Sequence, residues 1–219
     1  MKRLVIFDLD GTLLNTIQDL GEAANHALKM CGFPIHNISS YPFFVGNGIT
    51  RLLERVLPED DRNEENVSRL RECFMAYYEE HKADFTTVYD GIHELLSALT
   101  EKGVKLAVAS NKYHKAVVEL IKTYFPSIEW VAVEGQKSDY PVKPDPSIVF
   151  DILSKSPTIK SEVLYVGDSG VDMETARRAC VESVGVTWGF RPEKELRENY
   201  ADNIVNHPSE ILALIEKEF

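Results

Sequence analysis

Residues 1–16 read MKRLVIFDLDGTLLNT, a short apolar run that stops at two acids. The run at 4–7 is typical of a strand buried on both faces, which has no place for an unpaired carboxylate. Alternate side chains of an extended segment share a face, so Asp8 and Asp10 are expected to point the same way while Leu9 points back toward the protein. The strand therefore ends at Asp8, and at the carboxyl end of a parallel strand this shared face borders the ligand crevice.

Gly11 and Thr12 follow these acids directly. Glycine lets the backbone turn sharply and come close to a ligand, and two successive backbone amides can face an anion. Asp-Gly is also a common turn dipeptide, so an ordinary turn that carries two acids is the alternative for this segment taken alone. Gly11 and Thr12 are therefore candidates for binding a phosphate group.

Short apolar or β-branched runs recur along the chain, and most are followed by a turn signal and a segment with helical spacing. This alternation predicts an α/β fold, a Rossmann-like parallel sheet with helices on both faces. The predicted strands cover 4–7, 104–110, 130–133, 163–169, 183–188 and 203–205. The predicted helices of this part cover 91–102, 113–123, 146–155, 172–180 and 208–217.

One long interval between the first two predicted strands contains no convincing strand of its own. Over 16–30, 47–57 and 64–82, apolar residues recur three and four positions apart, which is the spacing of amphipathic helices. We therefore predict a small all-helical cap domain inserted into the sheet domain. The predicted boundaries are 1–14 and 87–219 for the α/β core and 15–86 for the cap.

The chain is acidic, with 24 Lys and Arg against 35 Asp and Glu and a net charge of −11. Nucleic acid and membrane surfaces are therefore not expected partners, and no apolar run is long enough to span a bilayer. An anionic small substrate stays compatible with this charge, because local cations, backbone amides and a bound metal can override it. Three cysteines without a CxxC pair and the absence of a signal-like segment predict reduced thiols, no zinc site and a cytoplasmic protein.

Three further sites place polar residues where a predicted strand ends or a helix begins. Ser110, Asn111 and Lys112 follow the apolar run of the second strand, and a hydroxyl with exposed amides there can bind phosphate oxygens. Lys143 lies in VKPDP, where two prolines limit the backbone around it. Asp168 ends another apolar strand, and Asp172 falls in the first turn of the next helix. Each site has an ordinary alternative: a loop start, a solvated lysine, or acids favoured by the helix dipole.

Together the four sites supply carboxylates, a hydroxyl, backbone amides and a lysine, all expected at the carboxyl edge of one sheet. Hard carboxylate oxygens suit Mg²⁺, and the cation together with Lys143 would offset the charge of a phosphate. The set therefore predicts a site for magnesium and phosphate.

These motifs resemble those of the haloacid dehalogenase-like hydrolase superfamily, and within it the phosphoglycolate phosphatase-like group. DLDGT at 8–12, Ser110, Lys143 in VKPDP and GDSGVD at 167–172 occur in the order and at the usual spacing of the superfamily. The resemblance covers essentially the whole chain, with the helical insertion in the position of that group's cap.

The resemblance implies a Mg²⁺-dependent phosphatase that acts through an aspartyl-phosphate intermediate. Asp8 would be the nucleophile, and Asp10 would protonate the leaving alkoxide and then activate water. An acid at position 10 also favours phosphate chemistry over the dehalogenase branch. The implied metal ligands are the Asp8 carboxylate, the backbone carbonyl of Asp10, and Asp168, with Asp172 supporting the metal shell. The implied contacts to phosphoryl oxygens are Ser110, Asn111 and Lys143.

The segment VGNGITR at 45–51 resembles the cap segment of phosphoglycolate phosphatases, where a glycine-rich turn opens a helix that faces the active site. Arg51 would then meet a substrate carboxylate with help from Asn47; the alternative is an ordinary helix start capped by Asn47 with Arg51 in solvent. A loop at 187–191 is also expected near the site. Rival functions are a phosphomutase of the β-phosphoglucomutase type, a pyrophosphatase or nucleotidase, and a non-catalytic interaction module. The sequence leaves the oligomeric state open.

Overall fold

The computed structural model describes residues 1–138 and 140–216, and it contains the predicted parallel sheet with helices on both faces. Six strands form this sheet in the spatial order β5-β4-β1-β6-β7-β8, and every neighbouring pair is parallel. The strands are β1 (Leu4–Phe7), β4 (Lys105–Tyr113), β5 (Trp130–Gln136), β6 (Val163–Gly167), β7 (Glu182–Val186) and β8 (Asn203–Val205). The predicted α/β fold is therefore confirmed.

β1 lies at the centre of the sheet and all four of its side chains are buried. Val5 and Phe7 belong to the apolar cluster on one face, whereas Leu4 and Ile6 belong to the cluster on the other. This division follows from the two-residue period of a strand. It explains why the sequence of β1 is a continuous apolar run rather than an alternating one.

Helices cover both faces of the sheet. Those whose apolar residues join the cluster of Val5 and Phe7 are α4 (Ile92–Glu101), α5 (His114–Tyr124) and α9 (Glu210–Ile215). Those that join the cluster of Leu4 and Ile6 are α6 (Ser147–Lys155) and α7 (Gly170–Ala179). A short helix, α8 (Glu193–Glu198), precedes β8. No helix within 1–138 and 140–216 is long and apolar enough to cross a membrane.

The chain between β1 and α4 is mainly helical. Two short strands, β2 (Leu14–Asn15) and β3 (Thr87–Val88), pair antiparallel where this segment leaves and rejoins the core. Its α-helices are α1 (Ile17–Cys31), α2 (Gly48–Val56) and α3 (Glu64–His81). Their buried residues form an apolar cluster that also takes in Ala116 of α5. We call residues 15–86 the cap; its boundaries as a domain stay a prediction.

The structure differs from the sequence-based prediction mainly at the ends of elements. β4 continues to Tyr113 instead of ending at Ser110, and its pairing with β5 is irregular between Ala109 and Tyr113. Such an irregularity re-aims side chains, and here it falls on the segment that carries the second motif. The strands β2 and β3 and the helix α8 are too short to give a periodic pattern and were not predicted. Residue 217, where the pattern ends the last helix, lies outside the described residues.

Asp19 in the first turn of α1 connects the two junctions between cap and core. Its buried carboxylate accepts hydrogen bonds from the backbone amides of Phe85 and Thr86 and, at 2.6 Å, from the Thr86 hydroxyl. Asp19→Ala leaves these buried donors without an acceptor, and we expect the free energy of unfolding to fall by about 2–4 kcal/mol. Denaturant unfolding followed by circular dichroism measures the change.

Asp84→Ala is the matched control for this substitution. Asp84 lies nearby in the same connection, but its carboxylate is about half exposed, and its one ion pair within residues 1–138 and 140–216 is with His81. Its removal should change the free energy of unfolding by less than about 0.5 kcal/mol. Equal effects of the two substitutions would contradict the proposed role of Asp19.

Candidate active site

The site lies at the carboxyl ends of β1, β4 and β6, where the strand order changes direction on either side of β1. Asp8 follows β1, Ser110 lies near the end of β4, and Asp168 follows β6. All three are buried at the edge of one cavity. In open α/β sheets such a switch point forms the ligand crevice. The structure therefore brings together side chains that are far apart in sequence.

Lys143 connects two acids of this site. Its ammonium donates to Asp8 Oδ1 at 2.8 Å, to Asp172 Oδ1 at 2.7 Å and to the Ala109 carbonyl at 3.0 Å. Burial favours the neutral amine, but the carboxylates of Asp172 and Asp8 outweigh it and raise the pKa of Lys143 well above its ordinary value. Lys143 is therefore a fixed cation beside the predicted nucleophile.

Asp172 has a structural role as well as this ion pair. Its Oδ2 accepts from the Ser169 hydroxyl at 2.5 Å and from the Ser169 amide, and the Ser169 side chain in turn accepts from the Asp172 amide. This is a reciprocal capping box at the start of α7. This capping box holds the Asp172 carboxylate with one oxygen toward Ser169 and the other toward Lys143.

Asp168 is held by close approach of the backbone. Its Oδ2 accepts from the Phe190 amide at 2.7 Å. Gly11 has a φ of +87°, and a Cβ there would lie only 2.2 Å from the same Asp168 oxygen. Position 11 therefore requires glycine for its backbone conformation and for the space that Asp168 occupies.

The carboxylates of Asp8, Asp168 and Asp172 form a buried cluster, with oxygens that lie within 4.8 Å of one another. Burial raises the pKa of Asp8 to about 7, and the nearby Asp172 carboxylate contributes. Burial, with Asp172 and Asp8, raises the pKa of Asp168 well above its ordinary value. These raised pKa values follow from the arrangement, because three ionised acids around one buried lysine would carry more negative charge than that lysine balances. These hard oxygen ligands could bind a divalent cation.

Asp10 lies at the rim of the cavity, outside this cluster. Its Oδ1 accepts from the Thr16 hydroxyl at 2.6 Å, and both of its carboxylate oxygens accept from Lys112 Nζ, at 2.9 and 3.2 Å. Asp8 and Asp10 both line the cavity, as the two-residue period predicts.

Ser110 and Asn111 reach the site through the irregular end of β4. Ser110 is buried, lines the cavity, and its hydroxyl accepts from the Lys112 amide at 3.2 Å. The side chain of Asn111 is engaged elsewhere: it exchanges hydrogen bonds with the Lys143 backbone and donates to the Gly46 carbonyl of the cap. Asn111 therefore positions Lys143 and fastens the cap, and its amide group is not free for a phosphate.

Gly11 and Thr12 are adjacent to the site, but their amides do not face it as predicted. The Gly11 amide donates to the Leu14 carbonyl at 2.8 Å and the Thr12 amide donates to the Leu9 carbonyl at 3.3 Å. Both hydrogen bonds close the tight turn that follows β1. The turn therefore occupies the two backbone amides, of Gly11 and Thr12, that were candidates for binding an anion.

The cap covers the open side of the cavity. Its contribution is largely apolar, and two cations from the core, Lys112 and Arg191, lie at its border. The cavity is small, about 70 Å³. The cap residues that line it are Leu20, Val45, Gly46, Gly48, Ile49, Leu52, Phe74 and Tyr78.

The structure does not bring Asn47 and Arg51 to this cavity. Arg51 is on the exposed side of α2 and donates to Glu54 at 2.6 Å, because the adjacent Leu52 and Leu53 take the buried side of the helix. Asn47 is at the start of α2 but makes no side-chain cap; its oxygen accepts from Arg55 at 2.7 Å. The prediction for these two residues is corrected accordingly: neither lines the site.

Three residues of the site have no role assigned from the sequence. Lys112 belongs to the second motif and directly follows two predicted phosphate contacts, and this position is the signal that could have given it a role. Arg191 ends the loop that was expected near the site, and it donates to the Val45 carbonyl at 2.9 Å. Tyr78 has the helical spacing of an ordinary core residue, which gives no functional signal.

Comparison with known proteins agrees with this arrangement. The sequence profile of the haloacid dehalogenase-like hydrolases matches residues 5–186, which include the acids at 8, 10, 168 and 172. The chain belongs to this family. The family that the four motifs predict is therefore confirmed.

Several related proteins align in sequence with almost the whole chain. A phosphoglycolate phosphatase from Vibrio parahaemolyticus is 30% identical over 97% of this chain and 96% of its own length. One from Aquifex aeolicus is 32% identical over 98% and 97%. The crystal structure of a predicted phosphoglycolate phosphatase from Haemophilus somnus is 27% identical, covers 98% of both chains and has a TM-score of 0.89. Another crystal structure, from Lactobacillus delbrueckii subsp. bulgaricus, is 31% identical, covers both chains fully and has a TM-score of 0.93.

Proposed function

We propose that this protein is a Mg²⁺-dependent phosphatase that hydrolyses a small phosphorylated metabolite through an aspartyl-phosphate on Asp8. Its relatives confirm the enzyme class, a phosphoric monoester hydrolase. The observation that carries the mechanism is the contact of Lys143 with Asp8 inside a cluster of three buried acids. The names of the relatives favour 2-phosphoglycolate as the substrate.

The first step is transfer of the phosphoryl group to Asp8. An Asp8 oxygen forms a bond to phosphorus while the ester P–O bond breaks, and the leaving oxygen takes a proton from Asp10. Lys143 orients the attacking carboxylate and offsets charge on the phosphoryl oxygens. Ser110 lies in the same cavity and can donate its hydroxyl proton to one of those oxygens.

The second step is hydrolysis of the aspartyl-phosphate. Asp10, now a carboxylate, accepts a proton from water as the water oxygen bonds to phosphorus and the P–O bond to Asp8 breaks. Asp8 returns as a carboxylate and inorganic phosphate leaves. The same Asp10 side chain therefore acts as acid in the first step and as base in the second.

Mg²⁺ fits the donor set of the site. Asp8, Asp168 and Asp172 offer only carboxylate oxygens, which this ion prefers, and the Asp10 backbone carbonyl is the further proposed ligand. Bound Mg²⁺ would offset the negative charge of the phosphoryl oxygens. The three acids share one buried lysine, so their full ionisation requires a further cation, which supports this proposal.

The substrate is small in this proposal. With the cap packed against the core, the cavity of about 70 Å³ leaves little space beyond the reacting group, which favours a small substrate. Arg191 is the arginine that lines it, so we propose that Arg191 rather than Arg51 attracts the carboxylate of 2-phosphoglycolate. Cations suit this task because charge-assisted hydrogen bonds to carboxylates are strong.

Arg191→Ala should raise the KM for 2-phosphoglycolate by about tenfold, the loss expected for one hydrogen bond to a charged group. The same substitution should change the KM for ethyl phosphate, which lacks a carboxylate, by less than about twofold. Arg51→Ala is the control and should leave both KM values near those of the wild type. Equal KM increases on the two substrates for Arg191→Ala would contradict a contact with the carboxylate.

A metabolite panel tests the proposed function itself. Mg²⁺-dependent phosphate release is measured for 2-phosphoglycolate, glucose 1-phosphate, glucose 6-phosphate, a nucleoside monophosphate and pyrophosphate, and phosphoglucomutase activity is measured separately. The proposal predicts the highest kcat/KM for 2-phosphoglycolate. Preference for pyrophosphate, or transfer between sugar positions without net hydrolysis, would replace it with a rival activity.

A further inference from the structure

We propose that Lys112 is the positioning residue for the Asp10 carboxylate, and that Tyr78 of α3 makes this positioning depend on the packed cap. The inference rests on the proposed function, because it assigns Asp10 a proton-transfer step. It adds two residues, one from the core and one from the cap, that the family motifs quoted above do not include.

The contact between Lys112 and Asp10 is buried and involves both carboxylate oxygens. The Lys112 side chain is only 5% exposed, although it carries a charge. Within the described residues, it makes the only ion pair to Asp10. A buried lysine needs a partner of this kind, because burial without one strongly disfavours the ammonium. The pair is therefore a built part of the site and not a surface ion pair.

Two contacts fix the rotation of the Asp10 carboxyl group. Lys112 Nζ lies 2.9 and 3.2 Å from its two oxygens, and the Thr16 hydroxyl lies 2.6 Å from one of them. A group that transfers protons in both steps must present an oxygen in one direction throughout. Removal of Lys112 leaves the Thr16 hydroxyl as the one side-chain hydrogen bond to Asp10 from the described part of the chain, and the carboxyl group becomes free to turn about it.

The charge of Lys112 also suits the first step. As the ester P–O bond breaks, the leaving oxygen takes the proton and Asp10 becomes a carboxylate. Negative charge then appears next to an ammonium that is already in place, so little rearrangement is needed. This help matters when the leaving oxygen is a strong base and must be protonated. It matters little when the leaving group is a stable phenolate.

Tyr78 brings the cap into this arrangement. The centroid of its buried ring lies 5.0 Å from Lys112 Nζ, within the range of a cation–π contact. Tyr78 belongs to α3 of the cap, whereas Lys112 belongs to β4 of the core. Displacement of α3 would remove the ring and expose the ammonium to water. The Lys112 ammonium is therefore in contact with both Asp10 and the Tyr78 ring only with the cap in the observed position.

Lys115 provides a matched control for cap packing in general. Its ammonium also connects the core to α3, through the Glu79 carboxylate, but it is 60% exposed and does not contact Asp10. Loss of Lys115 should therefore weaken a surface contact with the cap and leave the proton-transfer group untouched.

The test compares kcat/KM of the Mg²⁺-loaded enzyme on three substrates, because kcat/KM reports only the steps through release of the leaving group. The substrates are 2-phosphoglycolate, 2-hydroxyethyl phosphate, which has a basic leaving group but no carboxylate, and 4-nitrophenyl phosphate, which has an acidic one. Lys112→Met should lower kcat/KM about 100-fold on both alkyl esters and less than about fivefold on the aryl ester. Lys115→Met should stay within about twofold of the wild type on all three.

A double variant tests whether the two residues act as a unit. Asp10→Asn combined with Lys112→Met should be no slower on 2-hydroxyethyl phosphate than Asp10→Asn alone, within about threefold. Tyr78→Leu should lower kcat/KM on the two alkyl esters more than on the aryl ester, by less than Lys112→Met does. Tyr78→Phe, which keeps the ring, should keep most of the wild-type kcat/KM on all three substrates. If Lys112→Met is not folded by circular dichroism, Lys112→Gln serves for the same comparison.

Each other outcome overturns the inference. Equal losses on all three substrates would mean that Lys112 supports the fold only. A loss confined to 2-phosphoglycolate would make Lys112 a contact to the substrate carboxylate. Additive losses in the double variant would separate Lys112 from Asp10, and equal losses for Tyr78→Leu on all three esters would remove the dependence on the cap. A wild-type enzyme that hydrolyses none of the three esters would instead refute the proposed function.

Discussion

Asp8→Asn should abolish phosphate release from 2-phosphoglycolate, with a loss in kcat of at least about 1,000-fold, as for other enzymes that lose their nucleophile. The amide has the shape of the carboxylate but lacks the negatively charged oxygen that attacks phosphorus. The substitution also removes one of the two carboxylate charges that contact the Lys143 ammonium, which keeps the Asp172 carboxylate and the Ala109 carbonyl as contacts. Steady-state phosphate release and circular dichroism measure activity and folding.

Direct detection of the intermediate separates a nucleophile from a residue that merely binds. Rapid acid quenching of wild-type enzyme during turnover, followed by mass spectrometry of its peptides, should find the phosphoryl group on Asp8. Asp145→Asn is the control: Asp145 lies in the loop after Lys143 and contacts Ser147, away from Asp8. It should keep activity within about threefold. Full activity of Asp8→Asn, or a phosphoryl group on another residue, would refute the assignment.

Asp168→Asn should remove the response of the protein to Mg²⁺. In the wild type, an ion bound by the buried acids stabilises the folded state, by about 2.7 kcal/mol at a concentration 100 times its dissociation constant. Chelation should abolish activity and lower the unfolding temperature, and added Mg²⁺ should restore both. In Asp168→Asn one charged ligand of the cluster is gone, so added Mg²⁺ should have little effect on either. Thermal unfolding with and without Mg²⁺ gives a measurement that does not depend on turnover.

Glu134→Gln controls for the loss of a buried acid elsewhere. Glu134 is buried near the end of β5, but it pairs with Lys137 and Lys155 and lies outside the cluster of three acids. The Glu134→Gln variant should keep the rise in unfolding temperature on addition of Mg²⁺, even if its unfolding temperature without Mg²⁺ differs from that of the wild type. A wild type whose unfolding temperature is indifferent to Mg²⁺, or an Asp168→Asn variant with an unchanged rise, would contradict the proposed metal site.

The sheet and the family are predicted correctly from the amino-acid sequence, and the same local patterns single out the acids of the candidate site. The strands β1 and β6 are short runs of apolar residues with acids at their ends, and this local pattern follows from burial on both faces. The two-residue period placed Asp8 and Asp10 on one face, and both do line one cavity. Lys143 was predicted from two flanking prolines and a motif. The strand ends and the shared face depend on neighbours in the chain, so periodicity suffices to find them, whereas the family and the role of Lys143 rest on the resemblance of the motifs.

The contacts between the cap and the site could not be predicted in this way. Lys112 contacts Asp10 across a separation of 102 residues, through an irregular strand end and beside a ring from the cap. Arg51 was expected at the substrate and lies in solvent, because the apolar face of α2 fixes which side of the helix is buried. Arg191 takes a place at the cavity because its loop crosses to the Val45 carbonyl. Such contacts depend on how two units pack together, and no local pattern in the chain encodes the position of one side chain against the other.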